Sequence, residues 1–403
     1  MPTIKFHTLG CKVNQYDTQS IRERFLEHGF REAGPGEKSD FYLINTCTVT
    51  AIADQKSRGI IHRCINENPG AKVIVTGCLV KKDRSRLTKI KGVSFIIEKS
   101  FFAEGISNFC AHTRAFLKIQ DGCDNFCSYC KVPLARGRSR SKPLEDVIRE
   151  AARLAKNGFK EIVLTGICLG SYGRDLNPKI SLVKAIEALE KIDKIARIRL
   201  SSIEAGDVTS ALIKKMADSQ KLCPHLHIPI QSGDDEILKK MRRRYSAAFY
   251  LKLIRKARKK IPNLAITTDC LVGFPGEGKR HFRNTLNLVR KISPLRVHIF
   301  PYSAREGTWA YSSLSGNIPA PDIKERVSRL KEAADLSAQS YKKLFLGRNL
   351  PVLFEARSKE MKGCWEGYAD NYIKVLFKSR SILRNRLIRV RLKALVKDAV
   401  LAS

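Results

Sequence analysis

The sequence predicts an α/β protein in three parts: an N-terminal parallel-sheet domain (residues 1–110), a central partial (β/α) barrel (111–342) and a small all-β module (343–403). Three observations predict it. Apolar, strand-like runs alternate with helical stretches as far as Phe300. Several of those runs stop directly at Cys or Gly, the residues at which a buried strand hands over to a loop. Beyond Arg348 the helical stretches give way to short alternating segments separated by turns.

In the first part, residues 3–9 alternate like a strand and stop at Gly10-Cys11, and residues 17–28 read as a helix. Residues 41–47 form a buried-type strand that ends in Cys47, and residues 73–78 repeat the design with Cys78. In a parallel sheet the loops at the carboxyl ends of the strands converge on one edge. Cys11, Cys47 and Cys78, far apart in sequence, are therefore expected together there. A single strand-end cysteine also fits plain core packing; it is the threefold repetition that points to a site. Cys64 and Cys110 lack that context and read as structural.

The central part opens with residues 116–120, continues through an amphipathic helix over 145–157, and carries strands at 161–166, 196–200, 225–230, 264–272 and 296–300. Repeated βα units imply a parallel sheet with functional residues at the carboxyl ends of its strands. Gly166, Ser202, Glu204, Gln231 and Gly273 end or follow such strands, which places them at the mouth; the glycines also fit ordinary turn chemistry. A charged helix over about 320–345 leads into Leu346-Gly347-Arg348 and the third part.

In that third part Ile388, Val390 and Leu392 alternate with Arg389, Arg391 and Lys393, so one strand face is apolar and the other positive. Lys374, Lys378, Arg380, Arg384, Arg386 and Lys397 crowd the same module, together with Tyr368 and Tyr372. Cations neutralise phosphates and aromatics stack on unpaired bases, so this surface suits RNA. A second basic run, Lys239 to Arg244, fits either an RNA contact or a solvated helix face.

Composition agrees with a nucleic-acid partner. Lys and Arg number 75 against 39 Asp and Glu, a net charge of +36, which attracts polyanions. Apolar content of 43% is that of a globular protein, and no apolar run approaches a membrane span. The first residues lead straight into a strand with no signal-peptide pattern, and the 12 cysteines lack the regular short spacing of a disulfide scaffold. A cytoplasmic chain with metal-ligating thiols is the expectation.

The chemistry is concentrated in Cys123-Asp124-Asn125-Phe126-Cys127-Ser128-Tyr129-Cys130. Three thiolates in CxxxCxxC spacing are soft ligands suited to a [4Fe–4S] cluster, and three ligands leave one iron open to a small molecule. Zinc sites pair CxxC with a second CxxC or a His pair, and no second pair is present.

This spacing resembles that of the radical S-adenosylmethionine (SAM) enzymes, with Tyr129 where the family packs a residue on the adenine. The resemblance extends over nearly the whole chain to the methylthiotransferases. Their N-terminal domain is similar to Thr8 through Asp17, Asn45-Thr46-Cys47 and Thr76-Gly77-Cys78. Their radical SAM core is similar to Gly122 through Cys130 with Pro133 and Arg136 through Ser141, and their RNA-binding TRAM barrel resembles the C-terminal module. The resemblance implies two [4Fe–4S] clusters, a SAM-cleaving one on Cys123, Cys127 and Cys130 and an auxiliary one on Cys11, Cys47 and Cys78. Strand-end position then gives Gly166, Ser202, Glu204 and Gln231 as neighbours of SAM beside Tyr129, and the basic pattern of the C-terminal module gives Lys374, Lys378, Arg380, Arg384, Arg386, Arg389, Arg391 and Lys393 as the RNA contacts. An electron donor of flavodoxin or ferredoxin type and a monomeric state are expected with the resemblance.

Three substrate branches of that family are distinguished: isopentenyladenosine in tRNA, threonylcarbamoyladenosine (t6A) in tRNA, and an aspartate of a small-subunit ribosomal protein. Leu9 through Tyr16, Leu169 through Leu176 and Gly367 through Ile373 resemble the t6A branch. The implied reaction inserts CH3S at C2 of t6A beside the anticodon. Two departures stand out: Cys168 occupies a position where that branch has His, and Gly276 through His281 is more basic than the usual continuation.

Overall fold

The computed structural model describes residues 1–98, 105–110, 112–316 and 318–403. The first 96 residues build an all-parallel sheet in the order β2-β1-β3-β4-β5 (β1 Thr3–Thr8, β2 Arg31–Glu32, β3 Phe41–Thr46, β4 Lys72–Gly77, β5 Val93–Ile96). Tyr42, Leu43, Ile44, Val73 and Val75 are wholly buried on its two central strands. Such continuous apolar runs are those of strands covered on both faces. Helices Lys12–Glu27 and Ala51–Glu67 make the crossovers.

The helix after β1 begins at Lys12, five residues before the expected position. Its buried face is Val13, Asn14, Tyr16, Asp17, Thr18, Gln19 and Ser20, mostly polar. A helix that buries polar groups carries no apolar stripe for periodicity to reveal.

The central part contains six parallel strands: β6 Arg114–Lys118, β9 Glu161–Thr165, β10 Arg197–Leu200, β11 His225–His227, β12 Ala265–Val272 and β13 Arg296–Pro301. They form two three-stranded sheets, β10-β9-β6 and β11-β12-β13, joined by the bridges Ile198–Leu222 and Ser202–His227. Strands β6 and β13 are the free edges, so the barrel is open on one side. A short antiparallel pair, β7 Gln120–Asp121 with β8 Arg140–Ser141, closes the base of the 123–139 loop. One apolar cluster runs from Ile106 to Ala333 and includes Tyr16 of the first helix, so the N-terminal domain shares the central core.

The C-terminal module is a closed barrel in the order β14-β15-β16-β18-β17 (β14 Asn349–Arg357, β15 Cys364–Ala369, β16 Lys374–Lys378, β17 Leu387–Val396, β18 Ala399–Ala402). On β17, Val390 and Leu392 are buried while Arg389, Arg391 and Lys393 are exposed, as the alternation predicts. Tyr372 follows the turn at Asp370-Asn371 with φ +69°. The Asn371 Oδ1 accepts from the Ile373 N–H two residues on at 3.4 Å, and the Asp370 carboxylate accepts from the Asn371 N–H at 2.8 Å, so Asx chemistry overrides the aromatic, β-prone composition of this stretch.

This turn rests against the base of the central barrel. Arg199 donates to the Asp370 carbonyl at 2.9 Å and the Ala369 carbonyl at 3.3 Å, and Arg197 reaches the Tyr368 carbonyl at 3.3 Å. Both guanidiniums bind the wholly buried Glu161, whose partner atoms lie 2.7 Å (Arg199) and 3.1 Å (Arg197) away. Burial alone would raise the Glu161 carboxyl; Arg199, Arg197 and Arg114 hold it at about 2.

Candidate functional site: two thiol triplets across a domain boundary

Strands β3 and β4 end in register, Thr46 opposite Gly77, so the next residue of each, Cys47 and Cys78, leaves the sheet at the same edge. The Leu9 N–H donates to the Asn45 carbonyl at 2.9 Å, which brings Gly10-Cys11 there too. Cys11, Cys47 and Cys78 line one small cavity. Gly77 is required by two features: its φ is +106°, and a Cβ would sit 2.4 Å from the Thr46 carbonyl oxygen.

Asn14, one turn into the first helix, is fully buried among these thiols. Its amide donates to the Leu9 carbonyl at 2.6 Å and the Thr46 carbonyl at 3.0 Å, and its Oδ1 lies 3.8 Å from Cys78 Sγ. The same Oδ1 accepts from Arg136 Nη2 at 2.5 Å. Arg136 follows the CxxxCxxC loop, and it also binds Asp121 at 2.6 Å and Asp17 at 3.4 Å, while Lys118 pairs with both carboxylates. A buried network of four charged side chains and Asn14 thus fastens the first triplet to the central barrel.

The second triplet lies on the loop between β7 and the short helix Val132–Arg136. Gly122, at φ +69°, starts it where a Cβ would lie 1.9 Å from the Arg138 carbonyl oxygen. The Asn125 N–H points at Cys123 Sγ at 3.4 Å, and the Cys130 N–H donates to the Cys127 carbonyl at 3.0 Å. Lys131, Val132, Ala135 and Ile167 line the cavity of the first triplet, so the two sets of thiols are neighbours. Burial pushes the Cys47 and Cys130 thiols up to about 11 and raises Cys127. Cys123 moves the other way because the Cys168 thiol donates to it. Cys168 is thus a fourth thiol at the second triplet, held by the Gln120 side chain at its N–H (2.8 Å) and by Asn125 Nδ2 at its sulfur (3.5 Å).

Beside Cys127 opens a cavity of about 210 Å³ lined by Glu204, Asp207, Arg174, Arg243 and Tyr245 among others. Arg243 bridges Glu204 at 2.5 Å and the Tyr129 hydroxyl at 2.7 Å. A zwitterionic amino acid needs both signs of charge, and this lining offers both. The Tyr129 ring meets Phe274 edge-on and packs against the apolar cluster of Ile237, Met241, Leu271, Phe274 and Ala310. Of the other expected mouth residues, Gly166 abuts Gln120, Ser202 bridges His227, and Gln231 takes φ +61° against Cys270; none of the three lines this cavity. The Lys239–Arg244 run is not a uniformly solvated face: the Arg243 side chain is 6% exposed and belongs to the site.

Lower in the barrel stands a polar group that sequence reasoning missed. His227 Nε2 lies 3.1 Å from Asp269 Oδ2, with His298 close by on β13. The available signal was the His-Leu-His pattern at the end of a short strand. Of the basic C-terminal residues, Lys378, Arg380, Arg384, Arg386, Arg389, Arg391 and Lys393 are exposed. Lys374, the remaining expected phosphate contact, has Glu360 (2.8 Å), Glu366 (3.6 Å) and Asp398 (3.8 Å) around its ammonium.

Residues 117–289 match the radical SAM superfamily, and residues 3–98 match the uncharacterized protein family UPF0004. The chain is 38% identical to the threonylcarbamoyladenosine tRNA methylthiotransferase MtaB of Bacillus subtilis, over 97% of this chain and 94% of that one. It is 37% identical to the protein of the same name from Thermotoga maritima (100% and 97%). To the tRNA-2-methylthio-N(6)-dimethylallyladenosine synthase of Clostridium tetani it is 34% identical (91% and 88%). Among solved structures, the radical SAM methyltransferase TsrM of Kitasatospora setae superposes with a TM-score of 0.53 at 12% identity, over 77% of this chain and 76% of that one, a likeness of fold. Identity at this level along the whole length, with both thiol triplets inside the matched regions, makes the chain a member of the radical SAM methylthiotransferase family.

Proposed function

We propose that this enzyme methylthiolates C2 of t6A in tRNA, beside the anticodon. The observation that carries the reading is the meeting of two thiol triplets across the domain boundary, one of them on a radical SAM loop. Whole-length likeness to relatives named for t6A supports the choice of substrate. In this reading residues 1–110 carry the auxiliary cluster, 111–342 the radical SAM core and 343–403 an RNA-binding TRAM barrel.

The donor sets fit the groups they are assigned. Cys123, Cys127 and Cys130 hold one [4Fe–4S] cluster and Cys11, Cys47 and Cys78 the other, each triplet leaving one iron free of protein. When bound, the clusters and SAM supply the radical, the sulfur and the methyl group. Glu204 and Arg243 hold the amino-acid end of SAM in the cavity beside Cys127. Tyr129 flanks the adenine from its apolar pocket, and Gly166, Ser202 and Gln231 shape the mouth above. Arg136 and Asn14 keep the first triplet facing the second, which fixes the approach of sulfur to the target carbon.

The exposed cations from Lys378 to Lys393 contact tRNA phosphates. A cytoplasmic monomer served by a flavodoxin- or ferredoxin-like donor completes the proposal; no helix among the described residues is long and apolar enough to cross a membrane.

The deciding experiment is mass spectrometry of tRNA nucleosides from cells with and without the gene. Loss of 2-methylthio-t6A with accumulation of t6A is the expected result. An unchanged level overturns the t6A reading, and loss of the isopentenyl analogue or of the ribosomal-protein mark would name another branch. Gly77→Ala provides a structural check. Its Cβ would force the β3 and β4 ends apart, so iron is expected to fall from ~8 to ~4 per chain while the reduced enzyme still cleaves SAM. Iron analysis and 5′-deoxyadenosine formation read both.

A further inference from the structure

We propose that Lys12 recognises the free carboxylate of the threonylcarbamoyl group and so separates this substrate from adenosines whose N6 substituent is uncharged; the inference rests on the t6A reading above. Lys12 is the first residue of the helix Lys12–Glu27 and the neighbour of Cys11. It is half-buried, and its ammonium lies 5.9 Å from the ring centre of Phe116 on β6. The side chain therefore reaches out of the N-terminal domain into the open side of the central barrel.

The carboxylates of this region already have partners. Glu161 is taken by Arg197 and Arg199, Glu355 by Arg114 at 2.5 Å, and Asp269 by His227. Among the described residues no carboxylate pairs with Lys12; Tyr372, Arg114, Arg199 and Cys11 are its electrostatic neighbours, and His225 and His298 feel its charge. Arg114 and Arg199 repel this ammonium, and an anionic ligand placed among the three cations offsets that repulsion.

There is also room for one. A cavity of about 900 Å³ between β13, the helix Ala320–Lys343 and the C-terminal barrel is walled by Arg296, His298, Phe300 and Tyr372 among others. Two of those groups, His298 and Tyr372, are also electrostatic neighbours of Lys12, which is itself not part of the lining. Volumes of this order accept a nucleoside.

The chemistry of the substrate puts its carboxylate on the correct edge. A ureido group on N6 closes a six-membered hydrogen-bonded ring onto N1, which turns the amino-acid portion toward C2. Sulfur is to be attached at C2, and the auxiliary-cluster ligand Cys11 is the residue next to Lys12. The group that reads the side chain and the group that holds the sulfur source are thus adjacent in the chain.

The test is equilibrium binding of anticodon stem-loops to the cluster-loaded enzyme without reductant. The stem-loops carry t6A, its methyl ester or isopentenyladenosine. Losing one hydrogen bond to a charged group costs about tenfold to a hundredfold in affinity. Wild-type enzyme is expected to prefer acid over ester by that factor, Lys12→Met to bind both equally, and Lys12→Arg to keep the preference. Iron content confirms that the variants hold both clusters; if Lys12→Met loads poorly, Lys12→Gln is read in the same way. A Lys12→Met or Lys12→Gln enzyme that still prefers the acid overturns the assignment. So does a wild-type enzyme indifferent to the ester while 2-methylthio-t6A still depends on the gene, whereas an unchanged nucleoside profile overturns the substrate reading itself.

Discussion

Replacing Cys127 by alanine is expected to abolish reductive SAM cleavage, by at least about a thousandfold or ~4 kcal/mol of barrier, while leaving the auxiliary cluster in place. Cys127 has two roles in this geometry. It is one of three thiols on the 123–130 loop, and it lines the cavity that Glu204 and Arg243 share. Its loss removes a ligand and opens the wall where the amino-acid end of SAM is proposed to sit. Iron should fall from ~8 to ~4 per chain, and 5′-deoxyadenosine should disappear from reduced reactions. A variant that keeps its full iron would show that the loop is not the cluster site. The contrast with Gly77→Ala is the informative part: one substitution removes the radical and spares the sulfur source, and the other does the reverse.

The second large effect is on the joint between domains. Arg136→Met is expected to destabilise the folded chain by about 3–5 kcal/mol, measured by urea unfolding. The guanidinium satisfies Asp121 with two bonds, at 2.6 and 2.7 Å, reaches Asp17 at 3.4 Å and caps Asn14. Its removal takes away one of the two buried cations, Arg136 and Lys118, that Asp17 and Asp121 share. The penalty comes from that uncompensated charge rather than from a lost attraction, which fixes the control. In the double variant Arg136→Met, Asp121→Asn most of the stability should return. A single variant within 1 kcal/mol or so of the wild type would mean that the network is solvated in solution and does not fasten the domains.

The parts of this architecture that could be read in sequence are those written in local pattern. Three strands that stop at Cys11, Cys47 and Cys78 announce an edge, and CxxxCxxC announces its own site. The Ile388–Lys393 alternation gives the two faces of one barrel strand. What stayed hidden was tertiary. Asn14 and Arg136 are 122 positions apart, and nothing local says that one caps the other. The first helix escaped as far as Lys12 because the face it buries is polar, so its period is invisible to an apolar count. Arg243 sat in a basic run that resembles a solvated surface, yet it joins Glu204 to Tyr129. Lys374 is the opposite case, since its cationic neighbours in sequence concealed three carboxylates in space.

The turn from Tyr368 to Tyr372 has a consequence for how the molecule holds together. Its carbonyls are the acceptors for Arg197 and Arg199, and Tyr372 stacks within 4.5 Å of the His225 ring while Arg199 lies 4.8 Å above its own. The C-terminal barrel is therefore the floor of the central one and not a tethered appendage. Its orientation is inherited from the catalytic core, so an RNA gripped on its outer face is held at a set reach from the thiols, as a jig holds a workpiece at a fixed distance from the tool.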